Sequence, residues 1–163
     1  LFHKARLATS SVRRNERAPS SRLKTLSYID AIAAARETSA KGADDALMLN
    51  TAGNAASSTI SNLFLVTRDE LVTPSLDQAV LPGIMRQVLL DSAPSFGLRA
   101  VERPVDPAEL MSADAVFLTN SLRLIRPVTA LDKLPLRDRD LNPLIDRLCS
   151  LAKQQCGRDP RLN

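Results

Sequence analysis

The spacing of apolar and polar residues along this 163-residue chain predicts strands and helices that alternate. Short apolar runs between turn-forming residues predict strands, whereas apolar residues at every third or fourth position predict helices. The predicted strands comprise residues 4–8, 46–49, 60–66, 71–73, 98–101, 115–119 and 124–131. The predicted helices comprise residues 28–41, 83 to about 96, a short segment from 106, and 144–153. This alternation indicates a mixed α/β or α+β fold.

Specific residues mark where these helices begin and end. Gly42 follows the first helix, at the position where glycine commonly terminates one. Asp106, Pro107 and Glu109 have the order of a capping box with proline at the first helical position. Residues 9–23 contain two Ser-Ser pairs and a proline, which predicts a loop after a short first strand.

The length and composition are those of one globular domain. Apolar residues make up 44% and charged residues 25%, and no apolar run approaches the roughly 18 residues that a membrane span needs. With 3% aromatic residues and no Trp, the core must consist of Leu, Val, Ile and Ala. Cys149 and Cys156 are the two cysteines, and without a secretory signal they indicate a reducing, cytoplasmic compartment and no disulfide framework. Because the chain begins at Leu1 rather than Met, we expect it to be cut from a longer protein.

Positive charge is concentrated at the start of the chain. Residues 1–24 contain seven Lys or Arg residues but one acidic residue, Glu16, and the whole chain has a net charge of +4. A nucleic-acid-binding arm would carry this charge, yet no aromatic residue that could stack on bases follows Phe2 in this segment. A loop beside an anionic small-molecule site and a solvated face are the preferred interpretations. We expect neither a nucleic-acid partner nor a membrane partner.

Three short stretches carry side chains suited to chemistry. Lys24 lies in the basic segment, with Tyr28 four residues later. Gly83 opens a predicted helix, whose unpaired first N–H groups and positive dipole end form a site for an anion. Asn120 and Ser121 follow a buried strand, where an amide and a hydroxyl can contact a ligand. Each feature alone is a weak signal, because helix starts and polar strand ends are common in proteins without a ligand.

Together these stretches resemble a known family. The motifs at residues 21–28, 61–64, 73–86 and 117–128 have the order and spacing of class IV aminotransferases, the fold-type-IV pyridoxal 5′-phosphate (PLP) enzymes. The resemblance implies PLP as the cofactor. It also implies that residues 1–163 form one domain, the C-terminal, PLP-binding domain of a D-amino-acid-aminotransferase-like enzyme. Such a domain has its strands in a barrel-like sheet with flanking helices.

The resemblance also implies roles for individual residues. Lys24 corresponds to the lysine that binds PLP covalently and shuttles a proton, and Tyr28 to a tyrosine on the ring hydroxyl. Ile84 and Met85 correspond to the pair whose backbone N–H groups hold the phosphate. Leu81 corresponds to the apolar residue behind the ring.

A further group of corresponding residues follows the buried strand at 115–119. Asn120 and Ser121 match a polar pair near the phosphate. The backbone amides of Ser121 and Leu122 correspond to those that bind the substrate carboxylate in branched-chain enzymes. No metal is implied by the resemblance.

The chain departs from the family at Ser57. Members usually have a glutamate five residues before the position of Asn62, where it keeps the pyridine nitrogen protonated. A carboxylate stabilises a pyridinium by ion pairing, whereas a hydroxyl only hydrogen-bonds, so we expect bound PLP to be a weaker electron sink here. The alternative is that Ser57 is a turn residue outside the site.

A second departure is the absence of the family's first domain from this sequence. That domain carries an arginine for the phosphate and much of the substrate pocket, and the active site lies between the two domains. The expected partners are therefore a small amino substrate, the missing N-terminal domain and, because members are commonly dimeric, a second copy of the protein.

The resemblance is strongest to aminodeoxychorismate lyase, which forms 4-aminobenzoate and pyruvate in folate biosynthesis. Residues 76–79 with 83–87, and residues 119–122, resemble lyases more than D-amino-acid transaminases. Aromatisation drives this elimination, so it is expected to depend less on a protonated pyridine. A branched-chain or D-amino-acid transaminase is one alternative, and a catalytically impaired remnant with a structural role is another.

Overall fold

A computed structural model describes residues 2–162, which form nine strands and four α-helices. The strands are β1 (Ala5–Arg14), β2 (Asp45–Asn50), β3 (Ala55–Ser57), β4 (Asn62–Thr67), β5 (Glu70–Pro74), β6 (Arg99–Arg103), β7 (Ala115–Asn120), β8 (Leu124–Leu131) and β9 (Leu134–Pro135). The helices are α1 (Ile29–Ala40), α2 (Ile84–Ser92), α3 (Pro107–Ser112) and α4 (Asn142–Cys156). Among the described residues, no helix combines the length and apolarity that crossing a bilayer requires.

Six of the strands close into a barrel. They follow the order β3-β2-β1-β8-β7-β4, and the pairing of Ser57 with Asn62 joins β3 to β4. Strand β1 runs parallel to both of its neighbours, whereas the other barrel pairs are antiparallel. Strands β5 and β6 extend the sheet beyond β4, and β9 pairs with β8. The predicted mixed α/β fold with a barrel-like sheet and flanking helices is thus confirmed.

Strands β4 and β7 of the barrel are apolar on both faces. On β4, Leu63 and Leu65 belong to one buried cluster, whereas Phe64 belongs to a second cluster on the other face. The second cluster includes residues of α2 and α4, so these helices cover that face of the sheet. Phe64 stacks on Phe117 of β7 with ring centroids 5.3 Å apart. Burial on two faces explains why β4 and β7 appear in the sequence as continuous apolar runs rather than alternating ones.

Several predicted boundaries are correct because local chemistry sets them. Gly42 follows α1 with a φ of 77°, in the left-handed region that glycine adopts without strain. Helix α3 begins with the expected capping box: the Ala108 N–H donates to Asp106 Oδ1 at 2.8 Å, and the Asp106 N–H donates to Glu109 Oε1 at 3.0 Å. The strands predicted at residues 60–66 and 71–73 correspond to β4 and β5, which form an antiparallel hairpin.

The prediction omits the short strands β3 and β9 and extends α2 to about residue 96, although that helix ends at Ser92. Two strand boundaries are also wrong, at segments with polar residues. Strand β1 continues to Arg14 instead of ending at residue 8, because its second half pairs with β2 beyond a register shift between Thr9 and Arg13. Strand β4 begins at Asn62 rather than at residue 60. The Ser58 N–H donates to the Ser61 carbonyl at 2.9 Å, which makes the preceding segment a turn.

One carboxylate fixes the first helix, which begins beside the candidate site, to the first strand. Glu37 of α1 accepts hydrogen bonds from Ser10 Oγ at 2.6 Å and the Ser11 N–H at 2.9 Å, and Lys41 Nζ lies 2.8 Å away. Lys41 and then the serines lower the pKa of Glu37 from its ordinary value of 4.5 to about 2. The folded protein therefore binds a proton at Glu37 less readily than the unfolded chain does.

This difference predicts how the stability of the protein depends on pH. Because the pKa is lowered on folding, the stabilisation by Glu37 is complete above about pH 4.5 and is lost as the pH falls toward about 2. In urea unfolding, Glu37→Gln should be less stable than the parent at pH 6, and the difference should shrink at pH 3. Asp69→Asn, at an exposed position in the β4–β5 turn, is the control. A Glu37→Gln difference that is the same at both pH values would contradict this assignment.

Candidate active site

Loops at one end of the barrel enclose a cleft of about 560 Å³. It is lined by the segment between β1 and α1, the β3–β4 turn, the segment that enters α2, and the β7–β8 turn. All nine residues to which the resemblance gives a role lie on its wall: Lys24, Tyr28, Ser57, Leu81, Ile84, Met85, Asn120, Ser121 and Leu122. The structure therefore brings the whole predicted set together, while the role of each residue stays a prediction.

Lys24 lies in the lysine loop, which we define as residues 15–27. The loop is attached to the barrel near its start, where Thr51 Oγ1 donates to the Glu16 carboxylate at 2.7 Å. Lys24 is exposed to the cleft, and its amine makes no hydrogen bond or ion pair with any residue from 2 to 162. Tyr28 immediately precedes α1 and is half-exposed on the same wall. The amine is therefore sterically accessible to a ligand in the cleft.

The N-terminus of α2 opens into the cleft opposite this loop. Gly83 is the residue before the helix, and no side chain caps the first N–H groups of Ile84 and Met85. A Cβ atom on Gly83 would lie only 2.1 Å from Asn62 Oδ1, so no larger residue fits without displacing that side chain. Uncapped N–H groups at the positive end of a nine-residue helix favour an anion such as a phosphate.

Asn62 is a positioning residue that the sequence did not single out. Its Nδ2 donates to the Leu81 carbonyl at 2.8 Å, which fixes the apolar residue that leads into Gly83. The Asn62 side chain is buried and the bond is partly buried at the wall of the cleft, so the Asn62 amide has few other partners. An asparagine at the first position of an otherwise apolar strand is the signal that could have identified it.

Both the Nδ2 and the Oδ1 of Asn120 form hydrogen bonds within the protein. Its Nδ2 donates to Ser61 Oγ at 3.0 Å, and its Oδ1 accepts from the N–H groups of Leu122 and Arg123 at 3.0 and 2.8 Å. Asn120 thus shapes the β7–β8 turn and ties it to the β3–β4 turn. A substrate carboxylate at Leu122 would have to share its N–H with Asn120, whereas Ser121 projects from the same turn without that constraint.

Ser57 lies at the end of β3 rather than in a turn, and its side chain is buried. Its hydroxyl donates to the Ser58 carbonyl at 2.8 Å. With its proton used in that bond, the oxygen can only accept a further hydrogen bond. Toward a pyridine ring in the cleft, Ser57 would accept weakly from a protonated nitrogen and would provide no ion pair.

Arg14, at the end of β1, is a second lining residue that sequence reasoning missed. Its guanidinium donates to the backbone carbonyls of Ala79 and Ser21, each at 2.8 Å. Burial lowers the pKa of Arg14, and the charge of Asp30 opposes that shift. In the sequence, Arg14 is one basic residue among seven in the first 24, so nothing local distinguishes it.

These residues fit PLP, the cofactor that the resemblance implies. The cleft offers an amine without an internal partner, a helix N-terminus without a side-chain cap, and a glycine that leaves the approach to that N-terminus open. Lys24 would hold the cofactor covalently, and the N–H groups of Ile84 and Met85 would hold its phosphate. Leu81 and Ser57 would face its ring.

Comparison with known proteins identifies the family of this chain. The sequence profile of the family described as "Amino-transferase class IV" matches residues 2–131. A relative from Synechocystis sp., named "Probable branched-chain-amino-acid aminotransferase", is 35% identical over 136 residues, which are 82% of this chain and 44% of that protein.

Two solved structures share the fold. A candidate 4-amino-4-deoxychorismate lyase from Legionella pneumophila is 37% identical with a TM-score of 0.85, and the match covers 94% of this chain and 57% of that one. The PLP form of a branched-chain aminotransferase from Thermobaculum terrenum is 31% identical with a TM-score of 0.86, covering 98% of this chain and 53% of that one. This chain spans about half the length of the relatives that it matches. On the family profile, the relatives and the geometry of the cleft, the chain belongs to the class IV aminotransferase family.

Proposed function

We propose that this chain is the PLP-binding part of an aminodeoxychorismate lyase, which converts aminodeoxychorismate to 4-aminobenzoate and pyruvate. The observation that carries the proposal is Ser57, a buried hydroxyl where the family usually has a carboxylate. A transaminase relies on the pyridinium to hold electrons after the substrate loses a proton. The lyase reaction ends in an aromatic ring, which drives the elimination and lowers that requirement.

Six residues of the cleft have a task in this reaction. PLP supplies, when bound, an electron sink that makes the C–H bond beside the substrate amine acidic. Lys24 Nζ takes the proton from the amine-bearing ring carbon, and expulsion of the enolpyruvyl group, which takes up a proton to become pyruvate, leaves the aromatic product. The N–H groups of Ile84 and Met85 bind the phosphate, Leu81 supports the ring, and Tyr28 and Ser121 orient the reactants.

A branched-chain or D-amino-acid transaminase is the second candidate. The relatives from Synechocystis and Thermobaculum, both named branched-chain aminotransferases, favour it. The lyase candidate from Legionella shares a larger fraction of identical residues than either of them, 37% against 35% and 31%. We therefore place the lyase first.

We also propose that a second structural unit completes the site. Exposed apolar side chains lie on the cleft wall or next to it in the sequence: Ile84 and Leu122, which line the cleft, are 73% and 80% exposed, and Leu26 and Ile29, adjacent in sequence to lining residues, are 98% and 75% exposed. Such a concentration of exposed apolar surface is typical of an interface. An N-terminal domain of about this chain's length, within a homodimeric protein, is the occupant we propose. The free thiols Cys149 and Cys156 are compatible with a cytoplasmic location for it.

The test uses the chain together with the N-terminal domain that we propose. After loading with PLP, the protein is given aminodeoxychorismate, and 4-aminobenzoate is followed by fluorescence. In a parallel reaction, a branched-chain or D-amino acid and 2-oxoglutarate are supplied, and amino-acid consumption is measured. Release of 4-aminobenzoate without amino-acid consumption supports the lyase, and the reverse result supports a transaminase. A protein that takes up PLP but shows neither activity would support the remnant with a structural role.

A substitution at Ser57 tests the argument about the ring nitrogen. Ser57→Glu should raise transaminase side activity by about tenfold, because a carboxylate would stabilise the protonated ring. Ser57→Gln, of similar size but without charge, is the matched control and should not raise it. If both variants bind PLP and side activity stays flat in each, Ser57 does not face the pyridine nitrogen.

A further inference from the structure

We propose that Arg14 is a positioning residue that holds two walls of the cleft at a fixed separation. One wall is the lysine loop, which contains Lys24. The other is the cradle loop, which we define as residues 75–83 and which contains Leu81 and leads into Gly83. A single guanidinium connects them, because Nε donates to the Ala79 carbonyl and Nη2 donates to the Ser21 carbonyl, both at 2.8 Å.

The Ala79 carbonyl in particular needs this partner. Ala79 is buried and has a φ of 65°, a left-handed conformation that residues other than glycine rarely adopt. Such a conformation persists only where surrounding contacts determine it. A buried carbonyl without a donor is also unfavourable. The Arg14 bond therefore stabilises an unusual backbone turn just before Leu81.

Other contacts hold each wall separately. Asn50 Nδ2 donates to Gln78 Oε1 at 2.9 Å and fixes the start of the cradle loop to the barrel, and Asn62 fixes Leu81. Glu16 fixes the start of the lysine loop through Thr51. Within residues 2–162, Arg14 is the side chain whose hydrogen bonds reach both loops at once.

Arginine is the residue that this task requires. Its planar group presents two parallel donors on one edge in a fixed geometry, whereas the ammonium group of a lysine is a single point at the end of a flexible chain and does not fix the orientation of two carbonyls. Arg14 forms no ion pair within 4 Å with a described residue, so its donors are directed by the backbone rather than by a carboxylate. Its half-buried position makes a mobile conformation unfavourable.

The consequence concerns how PLP is held, and it is independent of which reaction is proposed above. Lys24 and the N–H groups after Gly83 must lie at the separation that one rigid cofactor imposes. With the Arg14 bridge absent, each loop keeps its own contacts to the barrel but loses its link to the other.

The test compares Arg14→Met and Arg14→Lys with Arg13→Met. Arg13 is the adjacent residue; it is exposed, and its side chain reaches only the Ser10 carbonyl, at 3.5 Å. In the protein without PLP, amide hydrogen exchange should become faster in residues 15–27 and 75–83 of both Arg14 variants, while strands β4 and β7 keep their protection. PLP affinity should fall at least tenfold in both variants and should change less than twofold in Arg13→Met.

Chemical rescue separates the bridge from a general loss of structure. Guanidinium ion at low millimolar concentration should restore PLP affinity in Arg14→Ala at least threefold, and the same concentration of ammonium should not. Unchanged exchange in both loops together with PLP affinity within twofold of the parent would overturn the proposal. If Arg14→Met does not fold, amide hydrogen exchange and PLP affinity are measured in Arg14→Lys, and the same two criteria apply to the proposal. Because no turnover is measured, failure of the lyase assignment would leave these results unaffected.

Discussion

Replacement of Lys24 by Met is expected to abolish covalent capture of PLP. The Lys24 amine faces the cleft and has no internal partner among residues 2–162, so it is the nucleophile available to the cofactor aldehyde. PLP that is added to the parent protein and fixed with borohydride should remain on the peptide that contains Lys24. The Lys24→Met protein should retain no fixed cofactor at any position.

The catalytic activity of the Lys24→Met protein should also fall, because the same amine is the proposed base. Loss of a positioned general acid–base group typically reduces the rate by about 10²- to 10⁴-fold, and loss of covalent binding adds to that. Lys153→Met, at an exposed position near the end of α4, is the matched control and should behave as the parent. Fixation of PLP to another lysine in Lys24→Met would show that the cleft is not the cofactor site.

Gly83→Ala is expected to disturb the site more than a single methyl group usually does. The new Cβ would lie 2.1 Å from Asn62 Oδ1, so the Asn62 side chain must move and its bond to the Leu81 carbonyl must break. A buried group left unpaired costs about 1–3 kcal/mol. We expect a loss of this size in the free energy of urea unfolding, together with a fall in PLP affinity of about tenfold or more.

A double-mutant cycle tests this mechanism directly. Asn62→Ala removes the obstructing atom and the bond to Leu81 together, so adding Gly83→Ala to it should cost little further stability. The coupling energy should therefore nearly equal the effect of Gly83→Ala alone, as expected for two groups in contact. Additive effects in the cycle, or a loss below about 0.5 kcal/mol in Gly83→Ala, would show that the helix start tolerates a side chain.

The features that could be predicted from the sequence are those in which neighbouring residues act on each other. Asp106 and Glu109 form their capping box within four residues, and Gly42 ends α1 through its own backbone conformation. The place of Gly83 before a helical segment is also a local signal, but the reason that this position has no side chain is the approach of Asn62, from a strand 21 positions earlier in the chain. Local patterns therefore identified the position of Gly83 but not what surrounds it.

The part of the site that was missed depends on contacts between distant segments. Arg14 bonds to a carbonyl 65 residues away, and Asn120 bonds to a hydroxyl 59 residues away. The local sequence of Arg14 is that of an ordinary surface residue, and the strand end at Asn120 does not reveal the partners of its amide. The resemblance assigned Asn120 to a position near the phosphate, whereas the fold shows that its amide is engaged in holding two turns together.

The amino-acid sequence alone was sufficient for seven of the nine strands, for the four helices and for the glycine before α2, and its resemblance to a family supplied the set of residues around Lys24. Hydrophobic periodicity and capping chemistry act over a few residues, so they predict elements without a fold, whereas the set around Lys24 follows from the resemblance to the family. Only the tertiary structure decided where β1 ends, that β3 and β4 close the barrel at Ser57 and Asn62, and which side chains face the cleft. Those outcomes follow from strand register and from hydrogen bonds across the barrel, whose partners become neighbours only when the chain has folded.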